Sequence, residues 1–378
     1  MLASGSMDLL YRSGGHPMND QPDRSKMLFL CSSLNVGGAE RVWTYLLSDL
    51  TARGISVELI AVNQRGELFD QVAEEGAETS FLDAGAGVGA IRCIPKLIQH
   101  VRSRQIDSIL TLGCSAAAIA AVVGRLTNIR VVLNWHTGDG LPRSSRSRMA
   151  WHLCAWLGAE VICVSPRNLR ELKHFGFSEN RIHTVRNGVP RPSHELRLPS
   201  SEGRHGIRVC MISRLAPPKR VDRFIEAIAS AYVIEPDIHG IVAGQGPLIE
   251  ELVTLRDETS APVEFIGFHP NPAELMLASD IVCLTSDIEA APLVLMEAAA
   301  CGRPVVATDC GDVSEIVVHG VTGLICMEKT PEALAQAILK LAGNPELRRA
   351  MGEAASMRWK EFLSADAMLD GYARILIG

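Results

Sequence analysis

The chain has no apolar run long enough to cross a bilayer. Its longest uncharged stretch, Ser108 to Gly124, is seventeen residues and contains Ser, Thr and Gly, so it falls short of a spanning helix. Residues 1–25 are rich in Gly, Ser, Asp and Arg and lack the apolar segment of a secretory signal; they read as a disordered extension or a cloning remnant. None of the ten cysteines falls in a Cys-x-x-Cys pair. Most lie inside apolar runs such as Val161-Ile-Cys-Val164 and Ile281-Val-Cys-Leu284, as small buried hydrophobes of a reducing compartment would. That pattern argues against a disulfide framework or a zinc site. There is no excess of positive charge either: the net charge of −6 is wrong for a dedicated nucleic-acid binder. A full Gly-x-Gly-x-x-Gly turn with a downstream acidic residue is missing, which disfavours a dehydrogenase. No Asp-x-Asp stands at a strand end. Asp287 and Glu289 have a chelating spacing, but such pairs are commonplace, and no metal is expected.

What is present suits a soluble protein of two domains. The chain has 378 residues, 47% hydrophobic and 21% charged, enough for two ordinary cores. Strand-like apolar runs alternate with helical patterns twice over. Met27-Leu-Phe-Leu-Cys31 runs into Gly37-Gly38-Ala-Glu-Arg41, then a helical pattern from Val42 to Leu50, then Val57-Glu-Leu-Ile-Ala-Val62. Strand, glycine turn, helix, strand is the opening of a doubly wound parallel sheet. Strand Val131-Val-Leu-Asn134 delivers Trp135-His136-Thr-Gly-Asp139 to its carboxyl end, where ligands of such sheets bind. The polar, Pro- and Ser-rich stretch Pro190–Gly206 marks a domain boundary, after which Ile207–Ile212 restarts the same order. The expected division is an extension at 1–25, a first domain at 26–195, a second at 196–362, and a C-terminal helix at 363–378 that packs back on the first domain.

The second half centres on Asp287-Ile-Glu-Ala-Ala-Pro-Leu-Val-Leu-Met-Glu297. Pro292 suits a first helical position and Gly302 the residue just past the end. The helix body is apolar except for Glu297, and an unpaired buried carboxylate is expensive, so Glu297 needs a site or a partner. Free N–H groups at the helix start make an anion cradle with a carboxylate on each side. A nucleoside diphosphate sugar would fit there; a core helix with a solvated Glu is the plain alternative. Arg214 and Lys219, five apart in a loop after a strand, are placed to neutralise a diphosphate, the guanidinium by a forked contact and the ammonium as a point charge.

Seven motifs in order now resemble a known family. They are Gly37-Gly38-Ala-Glu-Arg; His136; Asn187-Gly-Val; Ser213-Arg-Leu with Lys219; Gly244-Gln-Gly-Pro; Phe265-Ile-Gly267; and Glu289-x7-Glu297-Ala-x3-Gly-x-Pro-Val-Val-Ala-Thr. From Met27 onward the chain resembles the family-4 retaining glycosyltransferases of the GT-B fold, an α/β architecture of two Rossmann-like domains facing across a cleft. The resemblance implies that Arg214 and Lys219 bind the diphosphate, Glu297 the ribose hydroxyls and Glu289 the transferred sugar. The backbone at Gly267 and Phe268 would hold the base, and Gly37 and Gly38 would close on phosphates or acceptor. Gly246, Ala291, Leu293 and Val294 complete the implied donor set, and His136 would approach the sugar from the opposite domain. It further implies hexosyl transfer with retention, without metal or cofactor, by front-face attack assisted by the leaving phosphate. A UDP-sugar is favoured over a GDP-sugar as donor, with a glycan, lipid-linked sugar or small acceptor.

Three departures stand out from that pattern. Ala290-Ala291 replace a glycine and a bulky residue, Gly311-Asp312 replaces paired glycines, and Pro217-Pro218-Lys219 replaces a usual Lys-Gly. A nucleotide-sugar epimerase of the same shape and a non-catalytic nucleotide-sugar binder are the alternatives. Between Arg143 and Pro192 there are nine Lys/Arg against three Asp/Glu, and Arg143–Arg148 leads into Met149–Trp156. Basic residues followed by tryptophans predict weak contact with anionic membrane through 143–156; a core helix is the equal alternative. The expected location is cytoplasmic, with peripheral attachment to the inner membrane face.

Overall fold

The computed structural model describes residues 25–35, 37–74, 77–83, 91–136, 144–192 and 206–378. The 1–24 portion of the expected extension, the 195/196 boundary, Asp139 and Arg143 lie outside these residues. The first domain runs β1 (Lys26–Cys31), α1 (Gly38–Ala52), β2 (Ser56–Ala61), α2 (Glu67–Glu74), β3 (Glu78–Phe81), α3 (Ile94–Arg104), β4 (Ser108–Leu112), α4 (Cys114–Thr127), β5 (Arg130–Trp135), α5 (Ser145–Trp156), β6 (Glu160–Cys163), α6 (Asn168–His174) and β7 (Ile182–Thr184). The second runs β8 (Ile207–Ile212), α7 (Val221–Ile234), β9 (Ile238–Ala243), α8 (Ile249–Thr259), β10 (Val263–Gly267), α9 (Pro272–Leu277), β11 (Ile281–Leu284), α10 (Leu293–Ala300), β12 (Val305–Thr308), α11 (Val313–Ile316), β13 (Gly323–Cys326), α12 (Pro331–Ala342), α13 (Pro345–Arg358) and α14 (Ala365–Leu376).

The two sheets have strand orders β3-β2-β1-β4-β5-β6-β7 and β10-β9-β8-β11-β12-β13, and every pairing is parallel. Continuous apolar runs such as Met27–Cys31 form them because a parallel strand is covered by helices on both faces. Both orders reverse direction at the first strand, between β1 and β4 and between β8 and β11. Open α/β sheets bind ligands at such a switch, outside the carboxyl ends of the strands. This is the expected α/β GT-B arrangement of two Rossmann-like domains.

Helix α1 buries Val42, Trp43, Leu46 and Leu50 on one face, with the Trp43 and Phe29 ring centroids 4.8 Å apart. Trp359–Leu363 forms a single π-turn after α13, where the chain returns to the first domain. There Val189 pairs with Ser364, and Trp359 Nε1 donates to the Val189 carbonyl at 3.1 Å. Helix α14 buries Met368, Leu369, Tyr372 and Leu376. The Tyr372 hydroxyl donates to Asn134 Oδ1 at 2.9 Å, and Arg53 pairs with Asp370 at 2.7 Å. Each large apolar side chain buried there contributes about 1.5–3 kcal/mol, so α14 ties the domains together.

Candidate active site

The loop after β8 and the loop after β11 are fastened to each other. The Thr285 hydroxyl donates to the Lys219 and Arg220 carbonyls at 3.0 and 2.7 Å, and the Asp287 N–H donates to the Pro218 carbonyl at 2.9 Å. Pro217 and Pro218 open a single 3-10 turn that ends at Lys219. Proline fixes φ, so Lys219 leaves a stiff turn. Its ammonium donates to Glu289 Oε1 at 2.6 Å, and the Ser286 hydroxyl donates to the same oxygen at 2.6 Å. The two side chains are only 21% and 11% exposed, so this ion pair is shielded from water.

Asp287 and Glu289 do not converge. Asp287 pairs with Arg223 at 2.6 Å and Arg220 at 3.3 Å, both from the start of α7. Burial works to raise the Asp287 pKa, but the two guanidinium groups outweigh it and hold the carboxyl below its ordinary range. The chelating spacing seen in the sequence is therefore divided between two sets of cations.

Helix α10 begins one residue later than its sequence suggests. Pro292 has φ −66° and ψ 111° and is the N-cap, so Leu293 is the first helical residue. No side chain caps that end, which leaves first-turn N–H groups without a side-chain acceptor. Leu293, Leu295, Met296, Ala298 and Ala299 are buried, while Val294 and Glu297 share a part-exposed stripe three residues apart. A β-carbon placed at Gly38 would lie 3.5 Å from Leu293 Cγ, so the starts of α1 and α10 meet across the cleft. Beside that contact, Arg41 of α1 donates to Glu297 Oε1 at 3.2 Å. Burial pushes the Glu297 pKa up, and Arg41 opposes it only in part. The carboxylate's partner is thus a residue 256 positions away, in the other domain.

Arg214 is exposed at the mouth of the same cleft. Its charge acts on Glu40 of α1, whose pKa is raised chiefly by burial. Gly246 lies so close under the Leu215 carbonyl, next to Arg214, that a β-carbon would collide with it. Gly267, with φ 71°, ends β10, the edge strand of the second sheet, and Phe268 beyond it is 54% exposed. Ala291 packs part-buried against the core. His136 follows β5; its Nε2 is buried without a partner, and burial drives its pKa down to about 4, so the imidazole is neutral at pH 7. Sequence reasoning assigned no role to Arg41 or Ser286. Arg41 closes the Gly37-Gly38-Ala-Glu-Arg motif, a usable signal; Ser286 carries none beyond its nearness to Glu289.

Helix α5 has two faces. Trp151 and Cys154 are buried, and the Trp135 and Trp151 ring centroids are 4.5 Å apart. Met149, Leu153 and Trp156 are exposed at helical spacing, the last at 81%, with Arg146 and Arg148 exposed at the amino end. The core-helix reading describes the Trp151 and Cys154 face, while the opposite face is exposed.

Comparison with known proteins identifies the family of this fold. Residues 36–191 match the family model described as Glycosyltransferase Family 4, and residues 199–358 match Glycosyl transferases group 1. The N-acetyl-alpha-D-glucosaminyl L-malate synthase of Bacillus anthracis is 25% identical over 361 residues, covering 82% of this chain and 91% of the relative. Alpha-D-kanosaminyltransferase of Streptomyces kanamyceticus is 32% identical over 282 residues, covering 67% and 72%. Among solved structures, Anabaena HepE in complex with UDP superposes with a TM-score of 0.80 at 22% identity, covering 93% of this chain and 99% of that one. Two parallel sheets with matching switch points thus accompany sequence similarity in both halves: the chain belongs to the family-4 glycosyltransferases of the GT-B fold.

Proposed function

We propose that the protein transfers a sugar from a UDP-sugar to a glycan, lipid-linked or small hydroxylated acceptor, with retention and without a metal. The observations that carry this are the shielded Lys219–Glu289 pair in the loops before α7 and α10, and the Arg41–Glu297 pair that bridges α1 and α10 across the cleft. Fixed cations beside uncapped N–H groups stabilise charge that develops on a departing diphosphate, and such preorganised stabilisation usually contributes most to the rate of this kind of reaction. In this reading the donor diphosphate enters between Arg214, Lys219 and the start of α10, at Leu293 and Val294. Lys219 then turns from Glu289 to the phosphate, and Glu289 is freed to accept from the sugar hydroxyls. Glu297 receives the ribose, and Gly267 and Phe268 flank the base. Gly37 and Gly38, at the start of α1, close over the phosphates. His136, neutral at working pH, offers a hydrogen bond near the sugar without adding charge.

UDP is favoured because HepE is described with UDP and with UDP-glucose. The test is a thermal-shift series with UDP, GDP and their sugars, followed by NMR of the product anomer in EDTA. Saturating UDP at one hundred times Kd stabilises by about 2.7 kcal/mol, a rise of several degrees in Tm. No rise with any nucleoside diphosphate, or an inverted product, overturns the reading. The exposed face of α5 is read as a weak contact with anionic lipid, placing the enzyme at the cytoplasmic side of a membrane. Flotation with phosphatidylglycerol vesicles at low salt tests it, with Trp156→Ala expected to reduce binding; no flotation of the wild type removes the idea.

A further inference from the structure

The short turn between β12 and α11, residues 309–312, touches both domains. On its inner side the Asp312 N–H donates to the Ala290 carbonyl at 3.0 Å. Gly311, at φ 54°, lies so near the Glu289 carbonyl oxygen that a β-carbon there would collide with it. The backbone of the Glu289 turn is therefore held from behind by this turn. On its outer side the partners come from the first domain. Arg167, four residues past β6, donates to the Gly311 carbonyl and stands 3.9 Å from Asp312 Oδ1. Ser165, itself buried, lies beside the Asp312 carboxyl and favours its charged form, and its hydroxyl accepts from the Arg167 N–H at 3.2 Å. One helical turn on, Arg186 pairs with Glu315 at 3.1 Å. Asp312 is 6% exposed, so its carboxylate is placed by these contacts and not by water.

We infer that Asp312 and Arg167 form a brace across the cleft that sets the Glu289 turn when the two domains close, making both positioning residues for sugar transfer. The inference rests on the proposed contact of Glu289 with the transferred sugar. The chemistry is that of orientation: a reacting group misplaced by about 1 Å costs on the order of 10²-fold in rate. Arg214 and Lys219, which face the diphosphate in this reading, come from the loop after β8 and not from this turn, so UDP, which carries no sugar to reach Glu289, binds with or without the brace. Its loss shows in turnover and not in UDP affinity.

The experiment compares Arg167→Ala, Asp312→Asn and Glu289→Gln with the wild type, measuring UDP affinity by calorimetry, donor KM, kcat and Tm. Arg167 is largely exposed, so its replacement leaves folding intact. The expected result is a kcat lowered about 10- to 100-fold in Arg167→Ala and Asp312→Asn, with UDP affinity within about twofold of wild type. If Glu289→Gln loses turnover while the other two keep wild-type kcat, the brace is overturned. It is equally overturned if kcat falls only in step with UDP affinity or with Tm, since that pattern belongs to a merely structural contact. A wild-type kcat in Glu289→Gln marks instead the failure of the sugar-site reading.

Discussion

The two domains share one strand order but differ in what they place at the cleft. The second domain presents Arg214, Lys219, Glu289 and Glu297 at or beside the ends of β8 and β11. The first presents hydroxyls and amides near its switch point: Ser32 and Ser115 are 3.4 Å apart, and Asn63 donates to Ser115 at 3.3 Å. Its histidine there, His136, is held neutral by burial. Its charges near the seam, Glu40 and Arg41, interact with Arg214 and Glu297 of the other domain. The same strand order through six strands thus carries a charged rim in one domain and a largely uncharged, hydroxyl- and amide-bearing rim in the other. Topology sets where a ligand lies; side-chain charge decides which ligand.

That contrast breaks most sharply at the charged rim. Lys219→Ala and Glu297→Ala are each expected to lower kcat/KM for donor by about 10²–10³ while the protein still folds, as in other losses of a single fixed group facing developing charge. Steady-state kinetics at varied donor concentration checks this, and wild-type values in both would erase the distinction between the rims.

The neutral rim is probed through pH. His136 takes a proton near 6.5 in the unfolded chain but only near pH 4 in the native one. The unfolded state therefore binds more protons between those values. Native stability is fully present above about pH 6.5 and is lost as pH falls toward 4, by up to about 3 kcal/mol from this residue. Urea melts at pH 7 and pH 4.5 should show His136→Gln losing less stability on acidification than the wild type. Parallel losses would mean the imidazole is hydrated and the rim is not neutral by design.

Two smaller effects sharpen the seam itself. Tyr372→Phe leaves buried Asn134 without the donor to its oxygen, and its amide nitrogen is already unpartnered. Chemical denaturation should register a loss of about 1–2 kcal/mol. Arg53→Ala removes its exposed pair with Asp370 and its pair with Asp49 one helical turn away, and the same measurement should change by less than about 1 kcal/mol. A larger effect at Arg53 than at Tyr372 would relocate the energetic centre of the seam to its surface.

Much of the fold was legible because apolar strand runs leave a local record. β4, α3 and α12 begin and end where their apolar patterns do. Two edge strands and the short helices α2 and α11 were not legible. β3 reads Glu-Thr-Ser-Phe, with no apolar run, and is a strand only because β2 supplies its hydrogen bonds. β13 is four residues, Gly-Leu-Ile-Cys, too short for a period to declare itself. The helix α2 is hidden for the same reason, being brief and with little context. Among candidate site residues, Arg214, Lys219, Glu289 and Glu297 stand out through spacing and resemblance. Arg41, Arg167 and Asp312 were not visible as partners, because each acts on a residue far along the chain.

The sequence by itself determined the two βα domains, the stiff Pro-Pro turn before Lys219 and the apolar helix carrying a single carboxylate, since each depends on neighbours within a few positions. Only the tertiary structure decided which charges meet: that Asp287 belongs to Arg220 and Arg223, Glu289 to Lys219, and Glu297 to Arg41. The physical reason is range. Propensity and periodicity act over one or two turns of chain, whereas an ion pair across a cleft is chosen by where two separately folded sheets come to rest.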